Sequence, residues 1–183
     1  MRRRAAARPV WLTTLPYALV AAAALLRLIP HPWNFQPMDA LALFGGAVLP
    51  GVWAFVVPLG AVALSDAVLG FYGPGMLWVY AAYLVIVVLG RLALRRRSPM
   101  RIARTAVAAS ILFYLITNFG EWLGPRYPHT LAGLAASYTA AIPFFGNTVL
   151  SDLIYSLALF GIYDTAQMAG RRRAGAFVPQ RTT

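Results

Sequence analysis

"MLWVYAAYLVIVVLGRLALRRR", residues 76–97, contains an apolar run that ends in a cluster of arginines. A helix needs about 20 mainly apolar residues to cross the hydrocarbon core of a bilayer, and the run from Met76 to Leu94 has about that length. Arginines directly after such a run are typical of its cytoplasmic end. This stretch therefore predicts a membrane-spanning helix that leaves the membrane on the inner side.

The composition of the whole chain agrees with that prediction. Of the 183 residues, 60% are hydrophobic and 11% are charged, and the mean hydropathy is +0.66. A soluble domain is roughly one-quarter charged, so this chain lacks the charges to cover a water-facing surface. The length suits one domain, residues 1–183. The absence of cysteine excludes disulfides, thiolate metal sites and cysteine nucleophiles.

Prolines, glycines and arginines divide the chain into six apolar segments. We expect spans at about Val10–Ile29, Met38–Leu49, Val52–Leu69, Met76–Leu94, Arg101–Leu123 and Asn147–Met168. "TLAGLAASYTAAIP", residues 130–143, is too short to span comfortably, so we expect a separate interfacial or re-entrant helix before the last span. A seven-span arrangement is the alternative. Because helices satisfy their own backbone hydrogen bonds in lipid, the predicted fold is an all-α bundle of six transmembrane helices.

The N-terminal stretch "MRRRAAARPVWLTTLPYALVAAAALLRL" also resembles a secretory signal, with a basic start and an apolar core. No small-x-small cleavage pattern follows the apolar run. We therefore expect this segment to be retained as the first span.

The arginines predict the orientation of the bundle. With both termini in the cytoplasm, 14 of the 16 arginines lie inside, the exceptions being Arg27 and Arg126, as the positive-inside rule requires. The predicted location is the bacterial inner membrane, with basic cytoplasmic tails at residues 1–9 and 170–183. No basic stripe interleaves with aromatic residues on a polar surface, which argues against nucleic-acid binding despite the net charge of +11.

Four polar and aromatic stretches fall at the outer ends of the predicted helices. They are "HPWNFQP" (31–37), "SDAVLGFYGPGMLW" (65–78), "NFGEWLGPRYPHT" (118–130) and "FFGNTVLSD" (144–152). Aromatic walls with a few placed polar groups are how pockets hold small molecules. We therefore predict an outward-facing substrate pocket formed by Trp33, Asn34, Asp66, Tyr72, Met76, Trp78, Asn118, Glu121, Trp122, Asn147 and Asp152.

A purely structural interpretation of these residues is the alternative. The tryptophans at 33, 78 and 122 would then belong to an interfacial aromatic belt, and Asp39 or Asp66 would pair with Arg27. A belt would populate both interfaces, whereas these stretches favour the outer one. For Asp66 and Asp152 both interpretations remain open, because ionisable groups at membrane depth either pair or serve a pathway.

An intramembrane enzyme is a further alternative, which the sequence favours less: Asp66 with a histidine could form an acid-base pair, but nothing in the spacing selects it. The two histidines, His31 and His129, lie in proline-flanked outer loops, and neither a zinc-protease motif, a nucleophile elbow nor a phosphate-binding loop is present. We therefore expect no catalytic residues, no metal and no cofactor.

Small residues supply a further pattern. Ala18 and Ala22 have the small-xxx-small spacing that lets helices approach closely in lipid, and Gly45, Gly46 and Gly51 do likewise on the second span. Contact with a partner helix and packing within the monomer both fit this pattern.

Parts of the chain resemble the S components of energy-coupling-factor vitamin transporters, which are their membrane-embedded substrate-binding subunits. "NFQPMDALALFGGAVLPGVWAFVVPLGAVALSDAVLGFYG" (34–73) resembles the second and third helices of S components. "FYLITNFGEWL" (113–123) and "YTAAIPFFGNTVLSDLIYSLALFG" (138–161) resemble an S-component-like family of small bacterial membrane proteins. The likeness covers roughly residues 10–168.

This resemblance implies a six-helix protein with an outward-facing vitamin pocket under mobile outer loops. It also implies that Ala18 and Ala22 contact the membrane subunit of an ATP-driven energy-coupling module. Cobalamin, the first ligand to consider among solitary members, would need Met76, His31 or His129 as its cobalt ligand, or none, because there is no cysteine. The alternative function is an accessory membrane subunit that docks another protein.

Overall fold

The apolar segments fold into six α-helices within residues 10–176, the part of the chain that our computed structural model describes; its side chains are described for residues 10–172. The helices are α1 (Val10–Leu26), α2 (Met38–Val48), α3 (Trp53–Leu69), α4 (Met76–Ala93), α5 (Pro99–Leu123) and α6 (Leu131–Ala176). The predicted tail 1–9 and residues 177–183 of the other tail lie outside the described residues. Residues 170–176 of that second tail continue α6.

Local capping explains where some helices begin and end. The Ser98 hydroxyl accepts a hydrogen bond from the Arg101 backbone N–H, and Pro99 occupies the first helical turn, where a proline needs no hydrogen-bond partner. As a result, α5 begins two residues earlier than the sequence predicts. At the other end of the bundle, Gly70 terminates α3 with φ +99°, a conformation that favours glycine.

The last helix differs from the sequence-based prediction. Residues 130–143 do not form a separate helix and the last helix does not begin at Asn147; α6 is continuous over 46 residues and contains Pro143. A proline inside a helix removes one backbone hydrogen bond and crowds the carbonyl of the preceding turn. In apolar surroundings, neighbouring helices can compensate for the freed backbone groups. Here Ser137 Oγ donates to the Asn118 carbonyl and Tyr114 Oη donates to the Tyr138 carbonyl, so α5 supports α6 before the proline.

Three of the helices are long and apolar enough to cross a membrane: Met76–Ala93, Pro99–Leu123 and Leu131–Arg172. The other three, Val10–Leu26, Met38–Val48 and Trp53–Leu69, are shorter apolar helices.

Helix α2 occupies the centre of the bundle and contacts all five other helices. Every residue from Met38 to Gly46 is buried. Glycines allow the closest approach, which is to α4: a Cβ at Gly46 would overlap the Val87 carbonyl oxygen, and a Cβ at Gly90 would overlap the Leu43 carbonyl oxygen. The two backbones therefore touch, as in the small-residue contacts of membrane helices.

The surface of the bundle is apolar and its interior contains polar groups. Leu64, Leu77 and Leu92 are exposed, whereas Asp66, Ser110 and Asp152 are at most 1% exposed. A contiguous apolar exterior marks a surface that contacts something other than water. Together with the long apolar helices, it indicates a membrane protein.

Candidate ligand-binding site

The shortness of α2 leaves space at one end of the bundle. A helix of 11 residues rises only about 16 Å, so its longer neighbours extend past its N-terminus. A cavity of about 450 Å³ lies there, between the segment after α1, the start of α4, the end of α5 and the first half of α6. The opposite end of α4 and the start of α5 contain the central arginine cluster. The cavity therefore opens at the arginine-poor end.

The lining of this cavity combines aromatic walls with dispersed polar groups. The aromatic residues are Tyr72, Tyr83, Phe113, Tyr114, Tyr127, Phe144 and Phe145. The polar residues are Arg27, Asn34, Gln36, Thr117, Asn118, Glu121, Arg126, Ser137 and Thr148. Such a mixture suits a small molecule that is partly aromatic and has polar edges.

Arg27 stands at one side of the cavity and links three parts of the chain. Its Nη2 lies 2.7 Å from Asp66 Oδ1, its Nη1 donates to Ser65 Oγ and its Nε donates to Gln36 Oε1. Tyr80 Oη on α4 donates to the other Asp66 oxygen at 2.7 Å. A buried ion pair is tolerated when further hydrogen bonds accompany it. Here Arg27 also bonds to Ser65 and Gln36, and Asp66 Oδ2 is satisfied by Tyr80, whereas the buried Asp66 Oδ1 makes only the ion-pair contact with Arg27. Of the two aspartates considered as partners of Arg27, Asp66 is therefore the one that pairs with it.

Tyr72 stands beside this pair in the turn between α3 and α4. Burial, and then the negative charge of Asp66, raise the pKa of the Tyr72 hydroxyl above its ordinary value. The hydroxyl therefore remains protonated at neutral pH and can donate a hydrogen bond to a ligand.

The opposite wall is formed by α5 and α6. Asn118 Nδ2 donates to the Tyr114 carbonyl at 2.8 Å, and no described side chain donates to its amide oxygen. Glu121 and Arg126 lie at the rim, with 3.3 Å between their charged atoms. Because Arg126 is largely exposed, this pair is solvated and can rearrange around a ligand.

Below the main cavity is a much smaller one of about 10 Å³. Its lining includes Asp39 at the start of α2 and Asp152 on α6. Ser110 Oγ on α5 lies within hydrogen-bond distance of Asp152 Oδ2. The small cavity shares Asn34, Gln36 and Thr148 with the main one, so the carboxyl pair lies directly under its floor.

The structure brings four of the predicted site residues to the main cavity: Asn34, Tyr72, Asn118 and Glu121. Asp152 lines the small cavity. Six others do not line the main cavity, namely Trp33, Asp66, Met76, Trp78, Trp122 and Asn147.

Several of those six residues make structural contacts near the arginine-poor end of the bundle instead. Trp78 packs edge-on against Phe119 and fills the space beside Gly120. The Trp122 indole donates to the Pro128 carbonyl. Asn147 Nδ2 donates to the carbonyl of Trp33, whose side chain is 80% exposed. Asn147 therefore anchors the loop before α2 to α6.

Several lining residues were not among the sequence-based candidates. Arg27, Gln36 and Arg126 are three of them. The signal for the two arginines was that the positive-inside rule left them as exceptions on the predicted outer side. Ser137 belongs to residues 130–143, which were expected to form a separate helix, and Phe145 lies just before the expected start of the last span at Asn147. Their contribution depends on α6 being continuous.

Within the described residues, no group of three histidine, cysteine or acidic side chains could hold a metal ion. His31 and His129 are both exposed and neither lines the main cavity.

Comparison with known protein families identifies the family to which the chain belongs. A family model matches residues 8–174, a range that includes every helix up to the last turn of α6. The chain belongs to DUF6580, a family of unknown function. No curated protein and no solved structure matches it. The DUF6580 match includes both cavities, so any function proposed for them concerns the part of the chain that defines the family.

Proposed function

We propose that this chain is a six-span protein of the bacterial inner membrane that binds a small, vitamin-like molecule from outside. The observation that carries the proposal is the cavity of about 450 Å³ at the arginine-poor end of the bundle. With the arginine-rich end in the cytoplasm, this cavity opens outward. Helices α1, α2 and α3 would then span or enter the membrane beside the three long helices.

The cavity supports a ligand of moderate size. Pockets of about 300–1,000 Å³ hold drug-sized molecules, and this cavity falls at the lower end of that range. Its aromatic walls suit a planar ring, and its amides and hydroxyls suit ring nitrogens or carbonyl groups. The three charged lining residues, Arg27 beside α1 and Glu121 and Arg126 at the rim, all have ion-pair partners. This pairing favours a neutral or singly charged ligand.

A compact heterocyclic vitamin fits this cavity better than cobalamin does. A corrinoid is several times larger than a drug-sized molecule, and none of the side chains considered as its cobalt ligand lines the cavity: not Met76, His31 or His129.

The resemblance to S components supports a role in uptake. In that case an ATP-driven energy-coupling module would dock on the face that contains Ala18 and Ala22. Both side chains are exposed rather than packed inside the monomer, so the face is accessible to a partner helix.

A ligand screen tests this proposal directly. The purified protein is incubated with a set of vitamins and their precursors, and native mass spectrometry records the bound mass. We expect one compound to bind in a 1:1 complex and to be displaced by a structural analogue of different mass. Failure of every compound to bind would favour the accessory-subunit alternative, in which the polar outer face docks another protein.

A further inference from the structure

Five of the seven side chains that line the small cavity beneath the proposed ligand site contain oxygen atoms. Asn34, Gln36, Asp39, Thr148 and Asp152 supply them, with Met38 and Phe113 completing the wall. Its volume of about 10 Å³ is close to that of one water-sized sphere. Carboxylate and amide oxygens are the ligands that hard cations prefer.

Asp39 has no donor to satisfy it. The residue is 5% exposed, and no basic, amide or hydroxyl group among the described residues donates a hydrogen bond to its carboxylate. The polar group that it faces is the carboxyl group of Asp152, which is 1% exposed. Two carboxylates side by side, out of water, repel each other and lose their hydration. A positive species between them removes both penalties.

The Ser110 hydroxyl is a weak source of donated hydrogen bonds for the carboxyl pair. It has a single hydrogen to donate, yet it lies within bonding distance of two acceptors, the Ala106 carbonyl at 3.1 Å and Asp152 Oδ2. Ser110 can therefore donate at most one hydrogen bond to Asp152, and it donates none to Asp39.

The surrounding charged groups do not supply the missing positive charge. Arg27 is engaged by Asp66, Ser65 and Gln36. Tyr83 on α4, which lies near Asp39, is a phenol and brings no positive charge. The pair therefore has no basic partner among the described residues.

We propose that Asp39 and Asp152 together bind one small cation, a proton or a sodium ion, under the floor of the main cavity. Because the two cavities share three polar side chains, the bound cation fixes the floor that a ligand would contact. The cation site itself does not depend on the ligand, so it can be tested whether or not the proposed function holds.

Thermal unfolding of the purified protein in detergent tests the site. The melting temperature is recorded in sodium chloride and in choline chloride at equal ionic strength, from about pH 6 to about pH 9. If a proton is bound, the melting temperature in choline falls as the pH rises, because the folded protein holds a proton that the unfolded chain releases. If sodium is bound, each tenfold increase in sodium raises the melting temperature by about 3–6 °C, and choline does not.

Two variants and one control locate the effect. Asp39→Asn and Asp152→Asn keep the side-chain shape and remove one carboxylate, so each should abolish the response to sodium or pH. Asp164→Asn changes an aspartate at the opposite end, where it pairs with Arg97, and should keep the response. Equal melting curves in sodium and choline, with the same pH dependence in wild type and both variants, would overturn the proposal.

Infrared spectroscopy of the wild-type protein tests the site even if the variants do not fold. A protonated carboxyl group has its own carbonyl absorption, which should be present in choline and should disappear when sodium replaces the proton. Absence of this absorption in choline, combined with no effect of sodium on the carboxylate bands, would also overturn the proposal.

Discussion

Arg27 is the side chain on which α1, α3 and the loop before α2 converge. Because its partner Asp66 is fully buried, removing either one leaves an uncompensated charge inside the bundle. We expect Asp66→Ala to lower the free energy of unfolding by about 3–5 kcal/mol, measured by denaturation in detergent. The double variant Arg27→Met/Asp66→Leu should lose less, since it leaves no buried charge.

Glu121→Ala provides the matched control for that prediction. It breaks an ion pair whose arginine is 71% exposed, so the expected change in the free energy of unfolding is about 0–1 kcal/mol. If the double variant lost as much stability as Asp66→Ala, the penalty would not come from an unpaired charge.

Asn118 is the lining residue whose amide oxygen is free to meet a ligand. Replacing it by leucine keeps much of the volume but removes the acceptor, so the affinity for the ligand found in the screen should fall by about 1–3 kcal/mol, roughly five- to 150-fold. Gln167→Leu makes the same kind of change near the arginine-rich end and should leave the affinity unchanged. Isothermal titration of the three proteins measures this; equal affinities would remove Asn118 from the site.

At the scale of helices, the contact between α2 and α4 depends on two glycines. Gly46→Val or Gly90→Val would drive a side chain into the backbone of the facing helix and separate the pair. Because α2 touches every other helix, we expect either variant to fold poorly. The yield of monodisperse protein in detergent measures this.

Gly161→Ala is the control for the glycine prediction. No atom lies within 4 Å of a Cβ built at this helical position, so the variant should fold as well as wild type or slightly better, given the helix propensity of alanine. Normal yields for the Gly46 and Gly90 variants would show that the backbones do not approach so closely.

The exposed face of α1 provides a second test at this scale. Ala22→Trp adds bulk where Ala22 is exposed, away from the cavity. It should therefore leave ligand affinity in detergent unchanged. It should reduce uptake in cells if a partner helix docks there. Full uptake by this variant would exclude docking at Ala22.

At the scale of the whole molecule, the orientation in the membrane can be tested cleanly because the chain has no cysteine. Single cysteines at His129 and Ser98 lie at opposite ends of α5, in exposed segments. An impermeant thiol reagent should label His129→Cys in intact cells and should label Ser98→Cys only after the inner membrane is permeabilised. The reverse pattern would invert the proposed topology.

The sequence by itself determined the structural class and most helix limits. Apolar length, proline, glycine and arginine act locally, and so the starts of α1, α2 and α4 and the ends of α3 and α5 fall where these signals place them. The apolar exterior also follows from composition, since a chain with 11% charged residues cannot cover itself with charge.

Only the tertiary structure decided which polar groups meet. Asn118 and Asn147 have similar sequence surroundings, an asparagine among aromatic residues near a predicted helix end. Asn118 nevertheless lines the cavity, whereas Asn147 anchors the loop before α2. Likewise Asp66 pairs with Arg27, whereas Asp39 faces Asp152. The continuity of α6 through Pro143 also depends on contacts with α5. Each of these outcomes is determined by packing between helices that are distant in the chain, and local sequence signals contain no information about such packing.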